Sequence, residues 1–231
     1  MKKSNKILLG GFLTVVLLIT GIHITLYAKY KNGHYSIYQP GGKGQQASMQ
    51  SFADVSAIII RKGDAVISFG DTLSVEKGKE EYVQYARQGD SLVITGRNND
   101  ERYRNRSRIK LVLPHNATLS AFHSNISFDE GKENTATNPT IFLYNSYALF
   151  PFSRKPIQLG HVKINASDHS TVAFQGDAQV NHLEVQLKKS SIEDSKAEIG
   201  QLSIATDSAS QLILQSKHLL KAKISSITNN P

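Results

Sequence analysis

Neither cysteine nor tryptophan occurs in this chain of 231 residues. Without cysteine there is no disulfide framework and no thiolate metal site, so any folded domain is held by packing and hydrogen bonds alone. The short signatures of chemistry are missing too. There is no Gly-x-Ser-x-Gly elbow, no His-Glu-x-x-His, no phosphate loop and no dinucleotide fingerprint. A strong excess of one charge is also lacking. The chain carries 27 basic and 19 acidic residues, and setting aside Lys2, Lys3 and Lys6 ahead of the apolar run described next leaves 24 against 19. So small an excess points away from nucleic acid and toward anionic polysaccharide or lipid headgroups.

What the sequence does have is one long apolar run. Residues Ile7 to Ala28 contain no Asp, Glu, Lys or Arg. A bilayer core needs about 20 apolar residues to be spanned as a helix. The run is expected to be an uncleaved transmembrane helix, with 1–6 as a short cytoplasmic tail. A cleaved signal peptide is the alternative, and Leu26-Tyr27-Ala28 is its only candidate ending. Lys2, Lys3 and Lys6 favour an inside amino terminus, against Lys29 and Lys31 on the far side. That places the remainder in the periplasm or outside the cell, anchored to an inner membrane. Residues 29–50, rich in Gly, Gln and polar side chains, read as a flexible tether.

From residue 51 the texture changes to short alternating or apolar runs parted by turn residues. Val55–Ile60, Ala65–Phe69, Thr72–Val75, Ser91–Thr95, Arg108–Leu113, Thr118–Phe122 and Thr140–Leu143 read as strands. Lys79–Arg87 joins two strands or forms one. The expectation is an all-β domain over 51–226 with a tail at 227–231. A repeat of about 20 residues adds architecture. His161–Ser170 aligns with His182–Ser191 and Gln201–Ser210, which superposes Val162, Leu183 and Leu202, then Ile164, Val185 and Ile204, then Ser170, Ser191 and Ser210. Stacked coils would turn these into ladders sharing one apolar core, as in a parallel β-helix-like solenoid. A β-sandwich of antiparallel hairpins is the competing architecture.

Phe52-Ala-Asp-Val-Ser-Ala-Ile, Ala65-Val-Ile-Ser-Phe-Gly, Tyr85-Ala-Arg-Gln-Gly-Asp-Ser-Leu-Val-Ile-Thr95, Ile109-Lys-Leu-Val-Leu-Pro114 and Thr118–Ile126 follow one another in order. In this order they resemble the head GIN domain family, autotransporter-adhesin-like proteins of Bacteroidetes. The resemblance implies a right-handed β-helix-like fold with Gly-Ser-Gly turns, an adhesive surface role and no catalytic residues. This chain departs from it at the turns, where Ala166-Ser167-Asp168, Lys188-Lys189-Ser190 and Thr206-Asp207-Ser208 stand instead.

Two clusters are candidate contact sites. Arg104, Arg106 and Arg108 share one face if extended, and such a row could grip an anionic ligand bidentately. The alternative is charge guarding an edge strand. Tyr144, Tyr147, Phe150 and Phe152 form an aromatic patch, either a contact surface or a cap over the solenoid's open end. His161 and His182 would neighbour each other in successive coils, but no third ligand is evident, so no metal site and no cofactor are assigned. Asp129-Glu130 and Glu193-Asp194 are the carboxylate pairs a glycosidase would need, yet adjacent strand residues point to opposite faces. The sequence therefore suggests a non-catalytic envelope protein for binding, adhesion or scaffolding. Its partners would be the membrane, a polysaccharide or an envelope protein, and self-association is open. A polysaccharide-acting lyase or hydrolase on the same scaffold is the alternative. An envelope-stress sensor is a third idea, weakened by only six residues inside.

Overall fold

A computed structural model of the chain describes residues 11–20, 23, 48–52, 54–97, 108–129, 136–153 and 155–227. The chain divides into two units, Met1–Gln46 and Ala47–Pro231. In the first, residues 11–20 are helical and their apolar side chains, from Phe12 to Ile19, are exposed. Thr20 Oγ1 donates to the Val16 carbonyl at 2.8 Å, as hydroxyls inside helices do. Among the described residues no helix is long and apolar enough to cross a membrane. Residues 7–10, 21–22 and 24–28 of the expected anchor, and 29–47 of the expected tether, lie outside the described residues.

The second unit is all-β, as the alternation predicts. In most strands every second residue turns inward, and the inward set is largely aliphatic or aromatic, which is how a pleated strand buries one face. Two nine-stranded sheets result, with strands numbered along the chain. Sheet 1 runs, in spatial order, β1 (Met49–Phe52), β4 (Leu73–Glu76), β7 (Ile109–Pro114), β3 (Asp64–Gly70), β9 (Asn125–Phe128), β11 (Tyr147–Phe150), β13 (Thr171–Phe174), β15 (Ser191–Asp194) and β17 (Gln211–Ile213). Sheet 2 runs β18 (Lys223–Ser226), β16 (Glu198–Thr206), β14 (Gln179–Lys188), β12 (Gln158–Ser167), β10 (Thr140–Tyr144), β8 (Thr118–Phe122), β2 (Ala57–Arg61), β6 (Ser91–Gly96) and β5 (Val83–Gln88). From β8 onward the chain alternates between the sheets, and each strand pairs in parallel with its counterpart about 20 residues later.

The register of the repeat is as the sequence alignment has it for the core positions. Val162, Leu183 and Leu202 are Cα partners, as are Ile164, Val185 and Ile204, and all six are buried. The serine alignment is off by one. Ser170 N–H donates to Ser190 Oγ, not Ser191, and Ser190 N–H donates to Ser210 Oγ. The turn after β12 is one residue longer than the turn after β14, so equal spacing miscounts the corner while leaving the strands in step.

These corners share one design. The first residue after β2, β8, β10, β12 and β14 adopts positive φ: Lys62 (52°), His123 (51°), Asn145 (45°), Asp168 (51°) and Lys189 (50°). None is glycine, although that conformation is costly for side chains with a Cβ. A buried serine closes each corner from β8 to β14. Ser124, Ser146 and Ser190 donate Oγ–H to the carbonyl two residues back at 2.8, 2.8 and 2.9 Å. Each of those hydroxyls also accepts the N–H of the neighbouring coil, giving a ladder Gly63–Ser124–Ser146–Ser170–Ser190–Ser210 at 3.1–3.3 Å. This serine ladder satisfies corner N–H groups that no strand partner reaches.

The amino-terminal rungs depart from tandem stacking. The β2/β3 rung lies between the later β6/β7 and β8/β9 rungs, and β1, β4 and β5 close that end with antiparallel pairings. At the other end the short helix α1 (Ser216–Leu219), which the strand pattern did not announce, packs His218 against Asp194. Inside sheet 1, Phe69, Phe128, Phe150 and Phe174 stack with ring centroids 5.9, 4.3 and 4.3 Å apart. Asp194 is the strand partner of Phe174 and ends this stack.

Candidate functional site

Burial of one face of the central strands leaves the other face to solvent, and on sheet 2 that outer face carries side chains in register. Phe122 pairs with Tyr144 and Tyr144 with Ser167. One residue pair earlier along the strands, Ser120, Phe142, Asn165 and Gln186 form a second row. Thr118, Thr140, Lys163, Glu184, Ser203 and Lys223 form a third. Phe122, Phe142 and Tyr144 are 37%, 42% and 42% exposed, an unusual level for three clustered aromatic rings on a folded sheet. A shallow cavity of about 570 Å³ opens over them, bounded by Asn165, Gln186 and Lys188. That volume lies within the range of small-molecule sites.

A second depression of about 470 Å³ continues over the next coils and is more polar. Its His182 ring lies 4.5 Å from that of His161, on the neighbouring strand in register. Glu184 Oε2 is 3.4 Å from both His161 Nε2 and Lys163 Nζ. Among the described residues no group of three or more His, Cys, Asp or Glu is placed to hold a metal.

The aromatic residues marked in the sequence do not stay together. Tyr144 is on the outer face of sheet 2. Phe150 is fully buried between Phe128 and Phe174, so it is no contact residue: its position in β11 has inward parity. Tyr147 lies on sheet 1 and is half-buried, and burial followed by the Glu193 charge raises its phenol above the ordinary value. Phe152 is 64% exposed with Lys196 Nζ over its ring at 5.1 Å. Nor does the cluster cap an end, because β10 and β11 sit in the middle of their sheets.

Arg104 and Arg106 lie outside the described residues. Arg108 is exposed just ahead of β7, which is paired on both sides by β3 and β4, so it guards no sheet edge there. Of the carboxylate pairs, Glu130 is outside the described residues. Asp194 is buried, accepting from His218 Nδ1 at 2.5 Å, Gln215 Nε2 at 3.1 Å and Ala197 N–H at 3.1 Å. The Ile199 N–H donates to His218 Nε2 at 3.3 Å, which places the imidazole proton on Nδ1. This cluster ties β15 to the carboxy-terminal helix, and it lines neither of the two depressions described above.

Phe122 and Phe142 escaped the sequence reading. Their signal was parity: Leu119, Ala121, Ile141 and Leu143 turn inward, so the intervening Phe122, Phe142 and Tyr144 must turn out. No protein-family model and no curated protein matches the chain. Among solved structures it is similar to a candidate adhesin from Parabacteroides merdae ATCC 43184, at 11% identity over 78% of this chain and 95% of that one. The TM-score of 0.23 is too low for that likeness to carry an argument.

Proposed function

We propose that the chain is a non-catalytic, membrane-anchored envelope protein. In this proposal its carboxy-terminal unit is a parallel β-helix-like solenoid of head GIN type, which binds, adheres or scaffolds through the outer face of sheet 2. The observation that carries the binding role is the set of exposed side-chain rows on that face, with three aromatic rings among them. Rigid strands fix such rows before any ligand arrives, which keeps the entropic cost of binding low. The solenoid is supported by parallel pairing in steps of about 20 residues and by the serine corners. The anchor and the envelope location are supported by the uncharged run from Ile7 to Ala28 with Lys2, Lys3 and Lys6 before it.

The test expresses the full chain in Gram-negative cells. The expected result is recovery in the membrane fraction after alkaline carbonate washing, digestion by protease added to spheroplasts, and co-sedimentation with purified envelope particles. Recovery as a soluble, protease-protected cytosolic protein overturns the anchor and the location. Failure to sediment with envelope particles overturns the binding role.

A further inference from the structure

One row on the outer face of sheet 2 combines a flat apolar centre with a cation at each end. Following strand-pair register it reads Arg61, Phe122, Tyr144, Ser167, Lys188. Four strand spacings separate its ends, about 19 Å. The centre is the pair Phe122 and Tyr144, with ring centroids 6.1 Å apart and planes tilted by 38°. Two rings so inclined make a floor rather than a slot, and exposed Phe142 widens it. His123 meets Tyr144 edge-on at 5.7 Å and accepts a hydrogen bond from Asn145 Nδ2 at 3.1 Å, so the floor is braced from one side.

The chemistry around this floor narrows what can lie on it. An aromatic face is electron-rich and attracts the C–H groups of a flat-lying ring. Beside it Asn165 and Gln186 offer amide donors and acceptors suited to hydroxyl groups. A saccharide presents both, C–H groups on its faces and hydroxyls at its rim. A purely apolar partner would leave those amides without exchange for their water.

Charge then selects among saccharides. Lys188 is the sole charged residue among those lining the cavity, and Arg61 stands over the Phe122 ring at 5.9 Å. Among the described residues neither cation has a carboxylate partner, whereas Glu184 on the same face is engaged by Lys163 and His161. Acid groups on a ligand would meet these two cations, and no carboxylate is among the residues that line the cavity. We propose that this row binds a carboxylate-bearing polysaccharide, its sugar rings lying on Phe122, Phe142 and Tyr144 and its acid groups held by Arg61 and Lys188. The inference rests on the binding role proposed above and gives it a ligand class. Its span requires a chain of several sugars rather than a single one.

Affinity electrophoresis of the full chain in detergent tests this, with native gels containing alginate, dextran or polyglutamate. Alginate is expected to retard the protein. Dextran, which lacks acid groups, and polyglutamate, which lacks sugar rings, are expected to act at least tenfold more weakly. Arg61→Gln with Lys188→Gln is expected to lower alginate affinity about tenfold or more, since a charge-assisted contact is worth that much, and Tyr144→Ala, which removes one ring of the floor, is expected to lower it several-fold. Each variant should still unfold cooperatively in urea, since none of the changed side chains belongs to the buried core. Phe142→Ala provides a further variant should one of these unfold. Equal retardation by polyglutamate overturns the proposal in favour of net charge alone. Equal retardation by dextran makes the ligand neutral, and unchanged alginate binding in the variants puts the site elsewhere. Concentration-dependent dimerisation that Tyr144→Ala abolishes, with no polymer bound, makes the occupant a second copy. If no polymer binds yet the chain still sediments with envelope particles, the ligand class fails and the binding role stands; if neither occurs, both fail.

Discussion

A single serine makes three hydrogen bonds at each corner from β8 to β14. Ser170 Oγ donates to the Ser167 carbonyl at 2.6 Å and accepts the Ser146 N–H at 3.1 Å, while its own N–H donates to Ser190 Oγ. Ser170 is 1% exposed, so water cannot replace what is lost. Ser170→Ala should therefore cost about 1–3 kcal/mol, the penalty of orphaning a buried partner, read from urea unfolding. At the last corner Asp207 takes a related role with a charge. The Ser210 hydroxyl, followed by the Lys189, Ala209 and Ser210 backbone N–H groups, holds its carboxyl below the ordinary 3.8, and burial opposes this only in part. A lowered carboxyl contributes stability above its unfolded value and loses it as pH falls through the folded one. The urea midpoint of Asp207→Asn should thus lie below the parent's at pH 7, and the gap should close as pH drops below about 3.8. Because the group is exposed the effect is small and weakens with salt. A gap that persists at pH 2 would assign the difference to packing instead.

At the level of elements, the phenylalanine stack is the strongest internal feature. Phe150 is fully buried with near-parallel rings 4.3 Å away on either side. Phe150→Ala should cost about 3–5 kcal/mol by equilibrium unfolding, since the rigid rungs on both sides cannot collapse into the gap. Strand positions were largely legible in the sequence because inward and outward parity is a local property. Thr118–Phe122 coincides with β8 end to end, and the pairing of Ile164, Val185 and Ile204 was readable because like residues recur at a near-constant interval. Phe150 misled for a related reason. Its neighbour in sequence, Phe152, is exposed, and a local aromatic cluster does not reveal which member has inward parity. The aromatic floor was hidden because Phe122 and Tyr144 are 22 residues apart and only strand pairing brings them together. The order of the first rungs had no signature at all. Ala57 of β2 pairs with Ser91 of β6, an interval of 34 residues and not about 20, so the repeat does not mark β6 and β7 as lying outside β2 and β3.

For the whole molecule, the two ends are finished differently. One is closed by antiparallel strands; at the other the Asp194–His218 contact secures α1, while Ile213, Leu220 and Ile224 stay exposed. His218→Leu should leave Asp194 short of a partner and cost about 1.5–3 kcal/mol. Because each strand is hydrogen-bonded only to its neighbours in the sheet order, that loss should be local. Hydrogen exchange should quicken in β15 to β18 and stay unchanged in β2, β3 and β6. Uniform quickening would mean that the stack melts as one cooperative body. The placement of β2 and β3 bears on how the protein is made. Both of their flanks are covered by segments that leave the ribosome afterwards, the last of them ending at Phe128. Until then the oldest rung waits with two bare borders, and a chaperone that shields nascent chains would find its target there.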